Sequence, residues 1–209
     1  MYISKFSIID SILKNYFLYV VIVCGAVNCN KTNPLKENVI LINKTTDTII
    51  TYPLLNGHRL DFTTSHHQFY IANSHSPMAT DSENFWTKEA FDNKLATSTG
   101  ILGIGTASYG PIKGEICFYD TLPKLSFASK TDHIVEGNLN ISSEKINILD
   151  CLNNKIEFTK TIKNGSYRVR VSMFNLASVI DGKGNDYYLI EVFPDSLNEI
   201  IVIKRFKNR

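Results

Sequence analysis

This sequence predicts an all-β fold, an antiparallel β-sandwich with one short helix, and three observations carry the prediction. Short runs rich in Ile, Val, Tyr, Phe and Thr recur between turn residues, which is the composition of pleated, half-buried surfaces. One run, SYRVRVSMF (166–174), alternates: Tyr167, Val169, Val171 and Met173 point one way and Arg168, Arg170 and Ser172 the other, as in a strand with one face in water. A single stretch, FWTKEAFDNKLA, carries helix signals instead. With 209 residues, 44% of them hydrophobic, the chain can build one ordinary core, and a disordered composition is excluded. The formal charge of +2 does not provide the concentrated basic face that phosphate binding needs, so no direct nucleic-acid contact is expected.

The elements follow in chain order. Lys5 and Lys14 precede YFLYVVIVCGAV (16–27), an apolar run too short for a comfortable membrane span and suited to a signal-peptide core. It leads into AVNCNKTNP, which resembles a bacterial lipoprotein signal and marks Cys29 as the lipidated residue, with Asn28 where a small residue is usual; plain cleavage near Ala26 and an uncleaved anchor are the alternatives. The expected organisation is a signal peptide over 1–28, a tether over 29–37 and a β-sandwich domain over 38–209. That places the protein in the cell envelope, anchored to a membrane by lipid and facing the periplasm or exterior.

Within the domain, strands are expected at NVILIN (38–43), DTIITY (47–52), HQFYIA (67–72), ILGIGTA, GEICFYD (114–120) and HIVEGNLNIS (133–142). More follow at INIL (146–149), KIEFTKTI (155–162), SYRVRVSMF, DYYLIEVF (186–193) and the EIIVIKRF that ends at Phe206. Between KIEFTKTI and SYRVRVSMF lies KNGS, a hairpin signal because Asn-Gly suits a type I′ turn. DGKGND (181–186) is a looser glycine loop joining the next pair. In the helix, Thr87 is the expected N-cap, Trp86 and Phe91 form a hydrophobic staple, Glu89 sits in the first turn, and Phe91 and Leu95 share a face over about ten residues. The basic ending KRFKNR, with Lys204, Arg205, Lys207 and Arg209, reads as a solvated terminus.

No reaction centre stands out. His66, His67 and His75 fall close together, but adjacent residues of a strand point to opposite faces, so His66 and His67 cannot easily share a metal. His67, with Phe69 and Ile71 on its face, is expected at the top of a core stripe, and His75 in a loop. A hydrolase or metal enzyme using these histidines is the weakest of the readings. GILGIGTASYGPIKG (100–114) holds five glycines without a phosphate-binding motif, and a glycine inside its strand marks a bulge or close packing. No GxSxG occurs. Cys117 and Cys151 could pair in an oxidising compartment or remain two buried thiols, the latter being favoured. No cofactor and no metal are expected.

The acidic residues around the lone tryptophan suggest a contact surface. Asp81, Glu83, Glu89 and Asp92 flank Trp86, and an aromatic anchor ringed by carboxylates suits a basic protein surface. The alternative is a buried staple beneath a solvated acidic helix.

Three blocks in this order, HHQFYIANSHS, FWTKEAFDNKLATSTGILGIGTA and NGSYRVRVSMFNLA followed by DYYLIEVFPD, resemble the competence protein J family over roughly residues 64–195. The resemblance implies a small β-sandwich that is not an enzyme and that binds and inhibits a DNA-degrading nuclease associated with competence. Asp81, Glu83, Trp86, Glu89 and Asp92 are then the expected partner-binding residues. The chain departs from the family in its apparent anchor and in the added NVILINKTTDTIITY. The competing expectation is an envelope lipoprotein that binds carbohydrate or protein without inhibiting anything.

Overall fold

The computed structural model describes residues 57–76, 80–81, 83–196 and 199–207. The expected signal peptide, tether, Cys29 and the runs at 38–43 and 47–52 lie outside the described residues. No helix among the described residues is long and apolar enough to cross a membrane.

The order is β1 (His58–Thr63), β2 (Gln68–Asn73), α1 (Lys88–Asn93), β3 (Leu95–Ser98), β4 (Ile101–Gly105), β5 (Pro111–Phe118) and β6 (His133–Ile141). Then come β7 (Lys145–Asp150), β8 (Ile156–Thr161), β9 (Gly165–Phe174), a 3₁₀ turn at Leu176–Ser178, β10 (Tyr187–Pro194) and β11 (Ile201–Lys204). They form a six-stranded sheet ordered β1-β5-β10-β9-β6-β11 and a five-stranded sheet ordered β3-β4-β2-β7-β8.

The two sheets contribute to one apolar cluster. Phe69, Ile71, Leu102 and Ile148 enter it from the smaller sheet, and Ile116, Val171 and Ile190 from the larger. Period-2 alternation explains the selection, since the residues between these face outward. The sequence missed β1, because HRLDFT has only Leu60 and Phe62 as apolar positions and polar residues elsewhere.

Four expectations are corrected. The fold is not purely antiparallel: β5 and β10 pair in parallel, with Tyr188 opposite Gly114 and Val192 opposite Phe118. That pair joins strands remote in sequence, so no turn announces it. Asn164–Gly165 does not close a hairpin, because β8 pairs with β7 in one sheet and β9 with β6 and β10 in the other. The Asn164 side chain instead accepts from the Glu144 N–H at 2.8 Å, tying the crossover to the β7 entrance. Third, the arginine face of β9 is not in water. Arg170 is 4% and Ser172 3% exposed, because the segment after β5 covers this face, with Tyr119 and Phe127 packed on Cys117, Phe174, Tyr187 and Leu189. Fourth, α1 ends at Asn93, and Leu95 belongs to β3, fully buried.

The covered face is built around a charge ladder. Arg170 stands directly opposite Glu136 on β6 and Glu191 on β10. Its Nε donates to Glu136 at 2.6 Å, and its Nη1 to Glu191 at 3.4 Å and to the Pro123 carbonyl at 3.2 Å. Arg168 bridges Glu136 at 3.2 Å and Asp195 at 2.6 Å. Burial holds the Glu191 carboxyl above the usual carboxylate range, a shift the Arg170 guanidinium only partly opposes. Cys117 and Cys151 are both free thiols. Burial pushes the Cys117 thiol up, so it packs as a small hydrophobe.

Removing Arg170 leaves two buried carboxylates without their shared cation. The substitution Arg170→Ala is therefore expected to lower stability by about 3–5 kcal/mol, measured from urea unfolding midpoints. A loss under about 1 kcal/mol would mean that the ladder is solvated like a surface pair.

Candidate partner-binding site

The helix forms where its caps allow. Thr87 is extended at φ −68° and ψ 164°, and its hydroxyl accepts from the Ala90 N–H at 3.1 Å. Trp86 stacks on Phe91 with ring centroids 5.2 Å apart, the expected staple. The helix stops because Lys94 turns left-handed at φ 54° and its N–H closes on the Ala90 and Phe91 carbonyls. β3 then pairs with β4, Leu95 opposite Ile104.

Behind the helix, Phe85 packs edge-on to Trp86 at 5.7 Å and against Tyr70 at 6.2 Å, over the outward face of the smaller sheet. Gly103 makes this contact possible: a Cβ there would lie 2.7 Å from the indole and 2.8 Å from the Phe85 ring. The glycine in the strand thus marks close packing.

Of the residues expected to meet a partner, Asp81, Glu83, Glu89 and Asp92 are exposed and Trp86 is half-buried. Asp92 pairs with Lys88 at 2.9 Å across one helical turn, which holds its carboxyl below and the lysine above their usual ranges. Phe91 packs on Trp86 and yet leaves 62% of its surface in water.

Beside α1 runs an open groove of about 380 Å³. Phe85, Leu95 and Ile200 supply apolar lining, Asn93 and Thr97 polar lining, and Glu89 and Glu199 carboxylates. Glu199 escaped the sequence reading because it lies more than a hundred residues from Glu89 and no local pattern links them.

Two residues of the basic ending, Lys204 and Arg205, are engaged with the domain, while Lys207 is exposed as expected and Arg209 lies outside the described residues. Arg205 donates from Nη1 to the Asp92 carbonyl and from Nη2 to Asn93 Oδ1, each at 2.7 Å, so it satisfies the open C-terminal end of the helix. The buried His133 completes the clasp. Its Nδ1 accepts from the Phe206 N–H at 3.2 Å, so Nε2 carries the proton and donates to the Asn93 carbonyl at 2.9 Å. Lys204 donates to the Ala128 carbonyl at 3.0 Å and also to that of Thr131.

The histidine stretch resolves differently from its expectation. His66 and His67 both have φ 55° and form the two central residues of a turn closed by the Gln68 N–H on the Ser65 carbonyl at 3.3 Å. Both are exposed, so His67 does not head a core stripe. His67 Nδ1 lies 3.1 Å from the Ala107 carbonyl, and its ring sits 5.1 Å from that of Tyr109. His75 lies in an exposed turn. Among the described residues no three His, Cys, Asp or Glu side chains gather as metal ligands. Nearby, the buried Ser108 hydroxyl donates to the Asp186 carboxylate, which also accepts from Tyr188 OH at 2.5 Å. A serine bonded to a carboxylate in this way pins a loop, with no imidazole to take its proton.

These features define an all-β, two-sheet protein whose exposed chemistry near α1 is an acid-lined groove. The chain is similar to ComJ from Bacillus subtilis, an inhibitor of the DNA-degrading activity of NucA, with a TM-score of 0.52 and 17% identity over 66% of this chain and 96% of that one. It also matches Crocagin biosynthetic gene J with a TM-score of 0.42 and 12% identity, over 66% of this chain and 96% of that chain. No protein-family model and no curated protein matches the sequence. The fold is therefore ComJ-like.

Burial lowers the His133 pKa from 6.5 to about 4. The unfolded chain takes up the proton first on acidification, so the clasp's contribution is complete above about pH 6.5 and is lost as pH falls towards 4, a loss on the order of 2–3 kcal/mol. Urea midpoints measured between pH 7 and pH 4 are expected to fall more steeply for the native chain than for a His133→Gln variant. Equal slopes would assign the acid sensitivity to another group.

Proposed function

We propose that this protein is an exported, lipid-anchored β-sandwich that binds and inhibits a DNA-degrading nuclease. The observation that carries the reading is the ComJ-like fold, shared with a protein that inhibits such an activity. The surface beside α1 supports it chemically. A nuclease must hold a polyanion and so presents cationic groups around its active site. Carboxylates at Asp81, Glu83, Glu89 and Asp92 oppose those cations, while Trp86 and the exposed ring of Phe91 supply apolar contact area. Trp86 acts from beneath, holding Phe91 in place through their stacked rings.

The test is a DNA-cleavage assay with NucA of Bacillus subtilis, plasmid DNA and the purified full-length chain in detergent. Cleavage is expected to stop near equimolar inhibitor and to return with rising salt, as electrostatic docking weakens. Undiminished cleavage at a large excess of the chain, by NucA and by other secreted DNases alike, removes the reading.

Anchoring rests on the apolar run at 16–27 and on Cys29. Several acyl chains on one cysteine would hold the inhibitor at the membrane and raise its local concentration where a nuclease arrives. Metabolic labelling with a palmitate analogue in a bacterial host is expected to mark the native chain and not a Cys29→Ser variant. Label retained by the variant would place the lipid elsewhere, and an unlabelled native chain would refute anchoring.

A further inference from the structure

Among the described residues four strands end the two sheets, and their free edges differ in how open they are. β3 is four residues long and buries Leu95 and Ala96 completely. β11 is also four residues long and breaks register with β6 between Val202 and Lys204. The pairing of β8 with β7 breaks register between Ile148 and Leu149. Short strands and bulges are common protections against the addition of another strand. β1 has neither. It pairs with β5 through six residues in unbroken register and contains no proline and no glycine.

The register also shows which backbone groups of β1 are free. The Thr64 N–H donates to the Gly110 carbonyl at 3.0 Å. Counting back by two, Phe62, Leu60 and His58 direct their backbone groups to β5, and Arg59, Asp61 and Thr63 direct theirs away from it. These last three residues are all exposed, and β1 has no second neighbour among the described residues. An open groove of about 260 Å³ follows the edge, lined by residues 58 to 62 and by Glu157 of β8.

Charge then selects the guest, because this edge is complementary to itself. Antiparallel pairing of two β1 strands about Leu60 sets Arg59 opposite Asp61 of the second copy, and Asp61 opposite its Arg59. Both are positions whose backbone groups point outward, so each pair closes two hydrogen bonds. The two nearest symmetric registers that keep the core faces together, centred on Arg59 or on Asp61, would set two arginines or two aspartates face to face. Signs already alternate inward from the edge, where Glu115 stands opposite Arg59 and Lys113 opposite Asp61. The second copy continues that alternation. On the other face Leu60 meets its own counterpart. Phe62 of the second copy falls opposite His58, whose ring stacks on Phe158 at 4.3 Å. A twofold interface requires this kind of self-complementary patch.

We propose that two copies of this chain associate through their β1 edges, as an antiparallel strand pair centred on Leu60 that joins their six-stranded sheets into one. The surface beside α1 stays uncovered in such a dimer. α1 packs on β3, at the opposite end of the smaller sheet from β8, the strand that shares the groove of β1. Each dimer therefore presents two acidic α1 surfaces. The proposal stands on strand geometry and charge and does not depend on the nuclease reading.

The test weighs the full-length chain in detergent by light scattering over a concentration series, while hydrogen exchange is followed at the Arg59 and Asp61 amides. A dimer is expected, with amide protection that fades as dilution produces monomer. Arg59→Asp and Asp61→Arg, each alone, are expected to raise the dissociation constant about tenfold or more, since each sets like charges together in both pairs. The two native side chains are 65% and 61% exposed, so neither change disturbs the core. An equimolar mixture of the two variants is expected to recover the native affinity, because every pair between them again joins opposite charges. That recovery separates a pairing across the interface from a loss of fold. A chain that stays monomeric at every concentration overturns the dimer, and protected amides in that monomer would assign the edge to the chain's own residues 47–52. Dimers indifferent to both variants place the interface elsewhere, and a mixture that fails to recover overturns the pairing of Arg59 with Asp61.

Discussion

One guanidinium holds the register of three strands, and through that register it holds the larger sheet. Arg170 faces Glu136 and Glu191 across adjacent strand pairs, with Val169, Val171 and Ile190 on the opposite face in the core. Sliding β9 by one residue past either neighbour would bring the arginine towards the apolar cluster and expose valines in its place. A buried ion pair adds little net stability compared with apolar residues of similar volume, since desolvation consumes most of the Coulombic gain. Its effect here is on the alternatives, because a one-residue slip would part the three buried charges. The covering segment after β5 joins the same arrangement through the Pro123 carbonyl. The ladder thus fixes a third layer over a face that alternation alone would have left in water.

The same logic of satisfied termini positions the surface beside α1. Six residues make a helix far too short to persist alone. It is held by an aromatic floor at Phe85 and Trp86, a hydroxyl cap at one end and Arg205 at the other. His133 links that far end to the start of β6 and to the backbone of Phe206. Stability of the groove is consequently coupled to the protonation of a buried imidazole that does not itself line the groove. Dynamics at this site should follow the clasp, since opening it frees the helix terminus, Asn93 and the C-terminal segment together.

What the sequence displayed were the local rules. Runs of β-favouring residues located β2, β6 and β10, alternation located β9, and the order Trp86, Thr87, Phe91 located a staple and a cap that the structure reproduces. What it concealed were decisions made by tertiary contact. Leu95 continues a helical spacing from Phe91, yet pairing with Ile104 draws it into a strand and Lys94 takes the left-handed turn that this requires. Asn164–Gly165 has hairpin chemistry, but the strands on either side belong to different sheets. The turn that does use two left-handed residues is His66–His67, where no glycine or asparagine advertises it. Of the candidate site, the acidic residues around Trp86 were legible because they are close in sequence. Glu199 and Arg205 were not, because only the sheet order brings the chain's end beside α1.

The two exposed regions with unusual chemistry therefore differ in kind. His66 and His67 carry a backbone cost of about 1–2 kcal/mol each in the left-handed region. That cost is offset locally, by the Ala107 carbonyl at His67 and by rings packed edge-on to Tyr109, whose N–H in turn donates to the Gly182 carbonyl at 2.7 Å. The strain there is matched by contacts that join the β1–β2 turn to two neighbouring loops, which is what a structural corner between sheets requires. The surface beside α1 shows the reverse imbalance. There the one left-handed residue, Lys94, closes the helix, and what is left unmatched is outward: a 62% exposed phenylalanine and carboxylates without cations among the described residues. Exposed apolar area beside uncompensated carboxylates has the composition of a contact surface. This surface involves α1 and the smaller sheet, while the charge ladder belongs to β6, β9 and β10 of the larger one, so a few of its side chains can vary without disturbing the ladder.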